Sequence, residues 1–454
     1  MKNISVIGLG KLGGTMAACF ASSGFNVVGM DINPESVDAL KNGKAPAQEN
    51  GLNQMVSDNI NRIRATGDIN DAILNSDISF VIVPTPSDDE GKFSLEYAKN
   101  AFKGIGLALK KKSDYHVVVM TSTVLPGSMR YGLLPILEQY SEKRCGKDFG
   151  LCYNPEFIAL GSIIHDFLNP DFYLLGQYDE KSGDMLEEVH NQVSKNNAPV
   201  KRMAIENAEL AKIALNSFVT LKISFANMMA EFCEKIPGGN VDIISDALGM
   251  DKRIGRSYLT GGFSFGGPCF PRDNVALSYI AKELNVDSSI LVANDKYNRS
   301  LPLRQILNFK EYLPFDSTIG VLGLAYKPLT HVTEESSGVD LCNTLIEDGY
   351  KVIGHDNLAI DDAKKVLNPK VRLSNSLTEV LQECDVLIVT IADDEYKRMS
   401  AEQILMGKEK VVIIDIWRVL SHLESDSRIK YIPIGVNLNN DLNSQHLIDI
   451  YNIP

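Results

Sequence analysis

The sequence predicts an α/β fold with two doubly wound parallel sheets joined by a central helical segment. Three observations support this fold. Short β-branched runs alternate with helical patterns at both ends of the chain, the outline of the first segment recurs in the last, and a long stretch between them has neither Gly nor Pro. Strands that alternate with helices form βαβ units and parallel sheets.

The first segment reads as a series of buried parallel strands. Apolar runs rich in β-branched residues predict strands at 4–7, 26–30, 78–83 and 116–120. Two further runs, 151–153 and 172–175, are expected to extend the same sheet. Helical patterns lie between these runs, as right-handed crossover connections require.

The middle of the chain is predicted to be helical. Residues 207–235 are apolar around most of the helix circumference, which indicates one long helix buried on more than one side. More helix is expected to about residue 298, interrupted by the glycine-rich segment 261–268. We expect this central domain also to form a subunit interface.

The last segment, from about residue 316, repeats the first. GFNVVGMD at 24–31 and GYKVIGHD at 349–356 share Gly, Val, Gly and Asp, and each precedes another buried strand. The expected domains are therefore 1–200, 201–298 and 299–454, the outer two being Rossmann-like.

Composition is that of a globular protein with an acidic surface. The 454 residues are 44% hydrophobic and 23% charged, with a net charge of -13. Nucleic acid and anionic membranes need clustered cations, so neither is expected as a partner. No apolar stretch approaches the roughly 20 residues that span a bilayer, and the first residues lack a targeting pattern, so a cytoplasmic location is expected.

The seven cysteines form no CxxC pair. This spacing argues against both a disulfide framework and a zinc site, and no metal site is expected. Most of these cysteines are expected to be small buried apolar residues.

A dinucleotide-binding turn follows the first strand. Gly8, Gly10 and Gly13, with Lys11 and Leu12 between them, form a GxGxxG motif directly before an apolar helix. Such a turn lets a pyrophosphate approach the backbone at a helix N-terminus. Asp31 closes the second strand, where it can bind a ribose hydroxyl and would repel a 2′-phosphate. NAD is therefore the expected cofactor; the alternative is a glycine turn in an unrelated α/β fold.

Cys269 has neighbours that suggest chemistry. It lies in GGFSFGGPCFPRD, just before Arg272 and Asp273. A thiolate can add to an aldehyde to form a thiohemiacetal, which can then give up a second hydride and become a thioester. Nearby cations and backbone N–H groups would favour the thiolate. The alternative is a buried structural cysteine in a turn.

Further polar residues fall where ligands bind in such folds. Lys212 and Asn216 share one face of the long helix and could hold a developing oxyanion, although a solvated lysine is the alternative. Thr123 and Glu156 each follow a predicted strand, at the carboxyl edge of the sheet.

These motifs together resemble the UDP-glucose/GDP-mannose 6-dehydrogenases over nearly the whole chain. The shared segments are VIGLGKLG, VPTP (83–86), STV (122–124), NPEF (154–157), ELAKIALN (209–216), FGGPCFPRD (265–273) and GLAYKPLT (323–330). The resemblance implies two Rossmann-like domains joined by a helical dimerisation domain, a nucleotide-sugar substrate, and a homodimer or higher homo-oligomer.

The resemblance also implies roles for individual residues. Cys269 is the nucleophile, Lys212 and Asn216 stabilise the oxyanion, and Asp273, Glu156 and Thr123 handle water and protons. Pro84, Thr85 and Thr123 join the glycine turn at the cofactor. The substrate set adds six residues: Phe157, Arg253, Tyr258, Gly266, Lys327 and Arg418. For the three cations among them, the alternative is a solvated surface position.

Some positions depart from the family pattern. Leu160 stands where a second glutamate is common, and Arg272 replaces a lysine. In the run 330–336, Glu334 replaces an arginine that usually approaches the cofactor. These changes bear on substrate preference more than on the catalytic set.

The expected function is a four-electron oxidation of UDP-glucose at C6 to the uronic acid. GDP-mannose and UDP-N-acetylhexosamines are alternative substrates. A two-electron dehydrogenase of the β-hydroxyacid type would need neither Cys269 nor a third domain. A non-catalytic sugar-nucleotide-binding protein would more naturally have lost Cys269 or Lys212.

Overall fold

The computed structural model of the protein describes residues 2–451, and these form two compact units. The N-terminal unit comprises Met1–Leu215 and Tyr279–Val286. The C-terminal unit comprises Asn216–Ser278 and Asp287–Pro454. Each unit contains one sheet.

The sheet of the N-terminal unit has eight strands. They are β1 (Asn3–Ile7), β2 (Asn26–Met30), β3 (Ile63–Thr66), β4 (Ile78–Val81), β5 (Val117–Met120), β6 (Gly150–Tyr153), β7 (Tyr173–Gln177) and β8 (Val200–Ala204). Their order is β3-β2-β1-β4-β5-β6-β7-β8, and all neighbours are parallel except β6 and β7. The expected parallel sheet is confirmed, with one antiparallel pair near its far edge.

Eight helices connect these strands and cover both faces of the sheet. They are α1 (Lys11–Ser22), α2 (Pro34–Lys41), α3 (Leu52–Asp58), α4 (Ile69–Leu74), α5 (Glu96–Lys111), α6 (Leu134–Ser141), α7 (Ile163–Leu168) and α8 (Glu180–Val193). Two apolar clusters, one centred on Phe20 and Phe80 and the other on Phe102 and Phe149, form the core of the unit. Burial of both faces explains why the strands are continuous apolar runs.

The middle of the chain is helical, as expected. Its helices are α9 (Ile205–Lys235), α10 (Val241–Gly249), α11 (Phe270–Glu283) and α12 (Ser289–Phe309). The single long helix predicted at 207–235 is confirmed as α9, whereas α12 continues well past residue 298. The glycine-rich segment 261–268, which lies between α10 and α11, has no helix or strand.

The sheet of the C-terminal unit has six parallel strands. They are β9 (Thr318–Leu322), β10 (Lys351–His355), β11 (Arg372–Leu373), β12 (Val386–Val389), β13 (Val411–Asp415) and β14 (Ile429–Pro433). Their order, β11-β10-β9-β12-β13-β14, repeats the order β3-β2-β1-β4-β5-β6 of the first sheet. The accompanying helices are α13 (Ser337–Glu347), α14 (Ile360–Val366), α15 (Leu377–Glu383), α16 (Asp394–Lys397), α17 (Ala401–Leu405) and α18 (Asn440–Tyr451).

One expectation about membranes needs correction. Within residues 2–451, α9 is long and apolar enough to cross a bilayer by length and composition alone. The sequence analysis did not identify α9 as such a helix because charged residues interrupt its apolar run at intervals. Core helices of globular proteins have the same composition, and Ala208, Ile213, Ala226 and Ala230 on α9 are buried within the protein.

Candidate active site

The turn between β1 and α1 has the shape that a diphosphate requires. A Cβ on Gly8, whose φ is +99°, would lie 2.1 Å from the carbonyl oxygen of Ile82, and one on Gly13 would lie 1.9 Å from that of Gly8. A Cβ on Gly10 would meet nothing within 4 Å. Gly8 and Gly13 are thus required by packing, while Gly10 leaves an open approach to the first turn of α1.

Asp31 lies beside this turn at the end of β2. Its carboxylate accepts hydrogen bonds from the backbone N–H of Leu9 at 2.5 Å and of Asn33 at 2.8 Å. The side chain is only half-buried, so oxygen lone pairs stay accessible to a ribose hydroxyl. The turn and the acid together fit an adenine dinucleotide without a 2′-phosphate.

The equivalent acid of the second sheet is used differently. Asp356, at the end of β10, is buried and accepts four backbone hydrogen bonds of 2.8–3.0 Å. The donors are the N–H groups of residues 324, 325, 358 and 359. Because its oxygens are occupied by the turn itself, this repeat of the motif lacks an open ribose-binding acid.

The loops after β4 and β5 are tied together at the carboxyl edge of the first sheet. Thr85 Oγ1 donates to the carbonyl of Thr123 at 2.8 Å, and Ser122 Oγ donates to that of Val83 at 2.7 Å. Pro84 lies between the two bonded positions. The structure therefore brings together three residues that the sequence analysis assigned to the cofactor.

Glu156, Phe157 and Lys212 form a second group within the N-terminal unit. Lys212 is buried, its Nζ donates to the backbone carbonyl of Glu156 at 2.7 Å, and it lies 4.5 Å from the ring centroid of Phe157. The solvated alternative for Lys212 is therefore wrong. Oε1 of Glu156 is buried without a hydrogen bond, and burial raises the pKa of this carboxyl to about 8 despite the nearby ammonium.

In the C-terminal unit, Cys269 directly precedes α11. All seven cysteines lie within residues 2–451, and of these Cys269 alone is exposed. The expectation that most cysteines are buried is confirmed, and the buried alternative for Cys269 is wrong. At a helix N-terminus, first-turn N–H groups favour a negatively charged sulfur.

A hydrogen bond joins the side chain of Asn216 to that of Asp273, which lies one helical turn after Cys269. Asp273 is buried, and its Oδ2 accepts a hydrogen bond from Nδ2 of Asn216 at 2.7 Å. Arg272 Nε lies 3.7 Å from the other carboxylate oxygen. The N–H of Asp273 bonds to the carbonyl of Cys269, so the carboxylate is fixed one helical turn from the thiol.

The glycine-rich segment packs against the carboxyl-edge loops of the second sheet. A Cβ on Gly266 would lie 2.0 Å from the carbonyl oxygen of Glu335, and one on Gly267 would lie 2.4 Å from the ring of Tyr326. Burial, with Cys269 and Tyr258 as further contributions, raises the pKa of Tyr326 to about 12. Only glycine fits this close approach of two backbones.

The expected substrate-binding side chains occupy contrasting environments. Arg253 is exposed and pairs with Asp251 at 2.6 Å. Tyr258 is half-exposed and has a positive φ of 65°, a backbone strain common at functional sites. Lys327 is partly buried, with Nζ 5.8 Å from the centroid of Tyr326.

Arg418 is buried, and its five N–H groups all donate to protein acceptors. Two bonds go to the Asp242 carboxylate, and the others go to the carbonyls of Ile416, Ile434 and Gly261. A direct contact with a diphosphate would require exchange of one of these bonds. Its bond to Gly261 instead connects Arg418 to the glycine-rich segment.

Several residues of the site were not found from the sequence. Glu209 is buried on α9 and accepts the N–H groups of Gly127 and Met129 at 2.6 and 2.8 Å, which anchors the loop after Thr123. Burial raises the pKa of Glu209 to about 7. A glutamate on an otherwise apolar helix face was the available signal. Tyr326, in AYKP, carried no signal of its packing against Gly267.

No metal site accompanies these residues in the part of the chain that the structure describes. Within 2–451, no group of three or more His, Cys, Asp or Glu side chains is arranged to hold a metal ion.

Comparison with known proteins agrees with the fold and identifies the family. Three sequence models of the UDP-glucose/GDP-mannose dehydrogenase family match the chain: the NAD binding domain at residues 2–194, the central domain at 206–300 and the UDP binding domain at 320–422. A UDP-glucose 6-dehydrogenase of Haloferax volcanii, AglM, is 35% identical over 93% of this chain and 98% of its own length.

Two further relatives show the breadth of the family. The GDP-mannose 6-dehydrogenase of Pseudomonas aeruginosa is 32% identical over 86% of this chain and 92% of its own length. The structure of a UDP-glucose dehydrogenase from Pyrobaculum islandicum superposes with a TM-score of 0.86 at 32% identity, covering 96% of this chain and 98% of the other. The chain therefore belongs to the UDP-glucose/GDP-mannose dehydrogenase family, whose members are nucleotide-sugar 6-dehydrogenases that use NAD.

Proposed function

We propose that this protein oxidises UDP-glucose at C6 to UDP-glucuronic acid, reducing two NAD per sugar. The observation that carries the proposal is Cys269, an exposed thiol at the start of α11 in a chain whose other cysteines are buried. A thiolate that adds to the aldehyde allows the same enzyme to carry out the second oxidation. GDP-mannose and UDP-N-acetylhexosamines remain the alternative substrates.

The cofactor side of the reaction uses the N-terminal unit. NAD held by residues of this unit would supply the hydride acceptor for each of the two oxidations. The first turn of α1 would hold the pyrophosphate, and Asp31 would hold the adenosine ribose. Pro84, Thr85 and Thr123 form the adjoining wall, because the loops that carry them are hydrogen-bonded to each other.

The covalent step belongs to Cys269. Its thiolate adds to the C6 carbonyl of the aldehyde, forming a C–S bond while the carbonyl electrons move to oxygen. Lys212 donates to that oxyanion as a buried ammonium, and the amide of Asn216, one helical turn further along α9, donates alongside it. Loss of the second hydride from this carbon leaves a thioester on Cys269.

Hydrolysis then releases the acid. A water loses its proton as its oxygen attacks the thioester carbonyl, and the C–S bond breaks to return the thiolate. Glu156 is suited to take that proton because burial raises the pKa of its carboxyl to about 8, which makes the carboxylate a stronger base, and Asp273 is held close to the thiol. Thr123 positions the water. The sum is one alcohol, one water and two NAD converted to one carboxylate, two NADH and three protons.

The nucleotide part of the substrate is assigned to the C-terminal unit. The match of residues 320–422 to a UDP binding domain supports this assignment. Lys327 supplies positive charge for the diphosphate, and Arg253 supplies it for the diphosphate bound by the neighbouring subunit. Phe157, Tyr258 and Gly266 line the path of the sugar. Arg418 contributes by holding Gly261 rather than by direct contact. A homodimeric, cytoplasmic enzyme is part of the same proposal.

Stoichiometry tests the reaction. Purified protein is given excess NAD and a limiting amount of UDP-glucose, GDP-mannose or UDP-N-acetylglucosamine, and NADH and acid are measured at completion. We expect two NADH and one uronate per UDP-glucose. A single NADH per sugar would exclude the four-electron reaction, and no turnover across the panel would favour a non-catalytic sugar-nucleotide-binding protein. Turnover of another sugar alone would replace UDP-glucose as the substrate.

A further inference from the structure

The glycine-rich segment 261–268 is held in place by buried amide side chains. The segment has no helix or strand, so its backbone N–H and C=O groups have no ladder of their own. Asn227 on α9, with Asn298 and Gln305 on α12, together make five hydrogen bonds to this backbone. We call these three residues the amide clamp.

Asn298 bonds twice to a single residue. Its Oδ1 accepts the N–H of Phe265 at 2.8 Å, and its Nδ2 donates to the carbonyl of Phe265 at 2.9 Å. This pairing satisfies both backbone groups of one residue, as a neighbouring strand would. It fixes the orientation of the peptide on each side of Phe265, four residues before Cys269.

Asn227 and Gln305 hold the start of the segment in the same way. Asn227 accepts the N–H of Gly262 at 2.8 Å and donates to the carbonyl of Phe263 at 2.9 Å. Gln305 donates to the carbonyl of Gly262 at 2.6 Å. All three amides of the clamp are buried, where hydrogen bonds of this kind specify one arrangement most strongly.

The positions of the amides on α12 indicate that they do more than fill space in the core. Asn294, Asn298 and Gln305 all lie on the buried side of the helix, where apolar residues normally stand. Asn294 is hydrogen-bonded elsewhere: its Nδ2 donates to Thr220 Oγ1 at 2.9 Å. The buried face of α12 therefore carries two amides of the clamp, Asn298 and Gln305, and one asparagine, Asn294, that is not part of it.

A clamp is needed because the segment is intrinsically flexible. Gly261, Gly262, Gly266 and Gly267 lose more conformational entropy on ordering than any other residue would. Their missing side chains allow the close approach to the second sheet, but also remove side-chain packing that would otherwise restrict the backbone. Side-chain amides restore that hold without adding bulk to the segment itself.

We propose that Asn298, Asn227 and Gln305 are positioning residues that order the glycine-rich segment so that Cys269 meets the C6 carbon of bound substrate. The proposal rests on the proposed function in taking Cys269 as the nucleophile. None of the three amides needs to touch the substrate. Small displacements of a reacting group cost on the order of 100-fold in rate, so a loosened segment is enough to impair turnover.

The test compares Asn298→Ala with Asn294→Ala, a matched change on the same helix with equal burial. For each variant, kcat and KM for UDP-glucose, the thermal midpoint, and the rate of Cys269 alkylation by iodoacetamide with and without UDP-glucose are measured. We expect Asn298→Ala to lower kcat/KM by on the order of 100-fold. UDP-glucose should protect its Cys269 poorly. Asn294→Ala should keep wild-type protection and kcat even where its thermal midpoint falls equally.

Equal losses in the two variants at equal thermal midpoints would overturn the proposal, as would full UDP-glucose protection in Asn298→Ala. If Asn298→Ala does not fold, Gln305→Met takes its place, since it keeps the side-chain volume while removing the bond to Gly262. Alkylation and its protection are read without turnover. Failure of the clamp is therefore distinguishable from failure of the nucleophile, which Cys269→Ser activity reports.

Discussion

At the scale of single residues, burial sets the charge and reactivity of the chemical groups. Burial raises the pKa of each of the six buried thiols, to about 12 for Cys19, Cys152 and Cys384. Those thiols therefore stay protonated and unreactive at neutral pH. Cys269 is instead exposed to solvent and directly precedes α11.

Glu156→Gln should remove a pH dependence as well as activity. The carboxylate form of Glu156 grows as pH rises through about 8, so wild-type kcat should increase to that pH and then level off. We expect Glu156→Gln to lose about 10²–10⁴-fold in kcat and to lose that limb of the profile. A Glu156→Gln profile with the wild-type limb would assign the titration to another group.

The same residue should affect stability with a defined sign. Its folded pKa is raised, so folding favours the protonated form. That contribution is complete below the unfolded pKa of about 4.5 and is lost as pH rises toward 8. Denaturant unfolding of wild type and Glu156→Gln should therefore show wild type losing stability relative to the variant between these pH values. Parallel curves would contradict the burial of the carboxyl.

At the scale of elements, two glycines of the turn between β1 and α1 have different roles, one in packing and one in cofactor binding. Gly13→Ala creates a contact of 1.9 Å with backbone, so we expect a loss of about 1–3 kcal/mol in unfolding free energy together with weaker NAD binding. Gly10→Ala meets no protein atom, so it should weaken NAD binding while stability stays within about 0.5 kcal/mol. Calorimetric NAD titration and denaturant unfolding measure the two effects. Unchanged NAD affinity in Gly10→Ala would place the pyrophosphate elsewhere.

The elements were largely predictable because periodicity and glycine turns are local signals. The strands at both glycine turns and helix α9 follow directly from apolar patterns. β3 and β8 were not predicted, since each is a partly exposed strand without a continuous apolar run. The amide clamp was also missed: a buried asparagine is recognisable only once its distant backbone partner is known.

The same distinction between local sequence signals and long-range contacts applies to the roles of individual residues. Cys269, Asp31 and the three glycines stand inside compact motifs, so the sequence alone was enough to propose roles for them. Arg418 looked like a cation for the diphosphate, but its five donors are engaged by the surrounding backbone and Asp242. Hydrogen bonds between segments far apart in the sequence decide such roles, and no local pattern encodes them.

At the scale of the whole molecule, the helical part of the C-terminal unit leaves an apolar stripe exposed. Phe218, Phe225 and Phe232 recur every seven residues on α9 and are exposed. An aromatic stripe of this kind is typical of a subunit interface. We expect a homodimer of about twice 50.0 kDa by light scattering. Phe225→Asp should shift it toward monomer, whereas Leu358→Asp, at an exposed residue outside the helices, should not. A wild-type monomer would contradict this expectation.

The central claim is that Cys269 carries the oxidised sugar as a thioester. The direct measurement is peptide mass spectrometry after rapid acid quench of enzyme with UDP-glucose and NAD, using Glu156→Gln to slow hydrolysis. We expect a uronyl adduct on the Cys269 peptide, and Cys342→Ser, at a buried thiol, should retain it. Cys269→Ser should lose at least on the order of 1,000-fold in uronate formation. Full uronate formation by Cys269→Ser, with no adduct in the parent enzyme, would contradict the account.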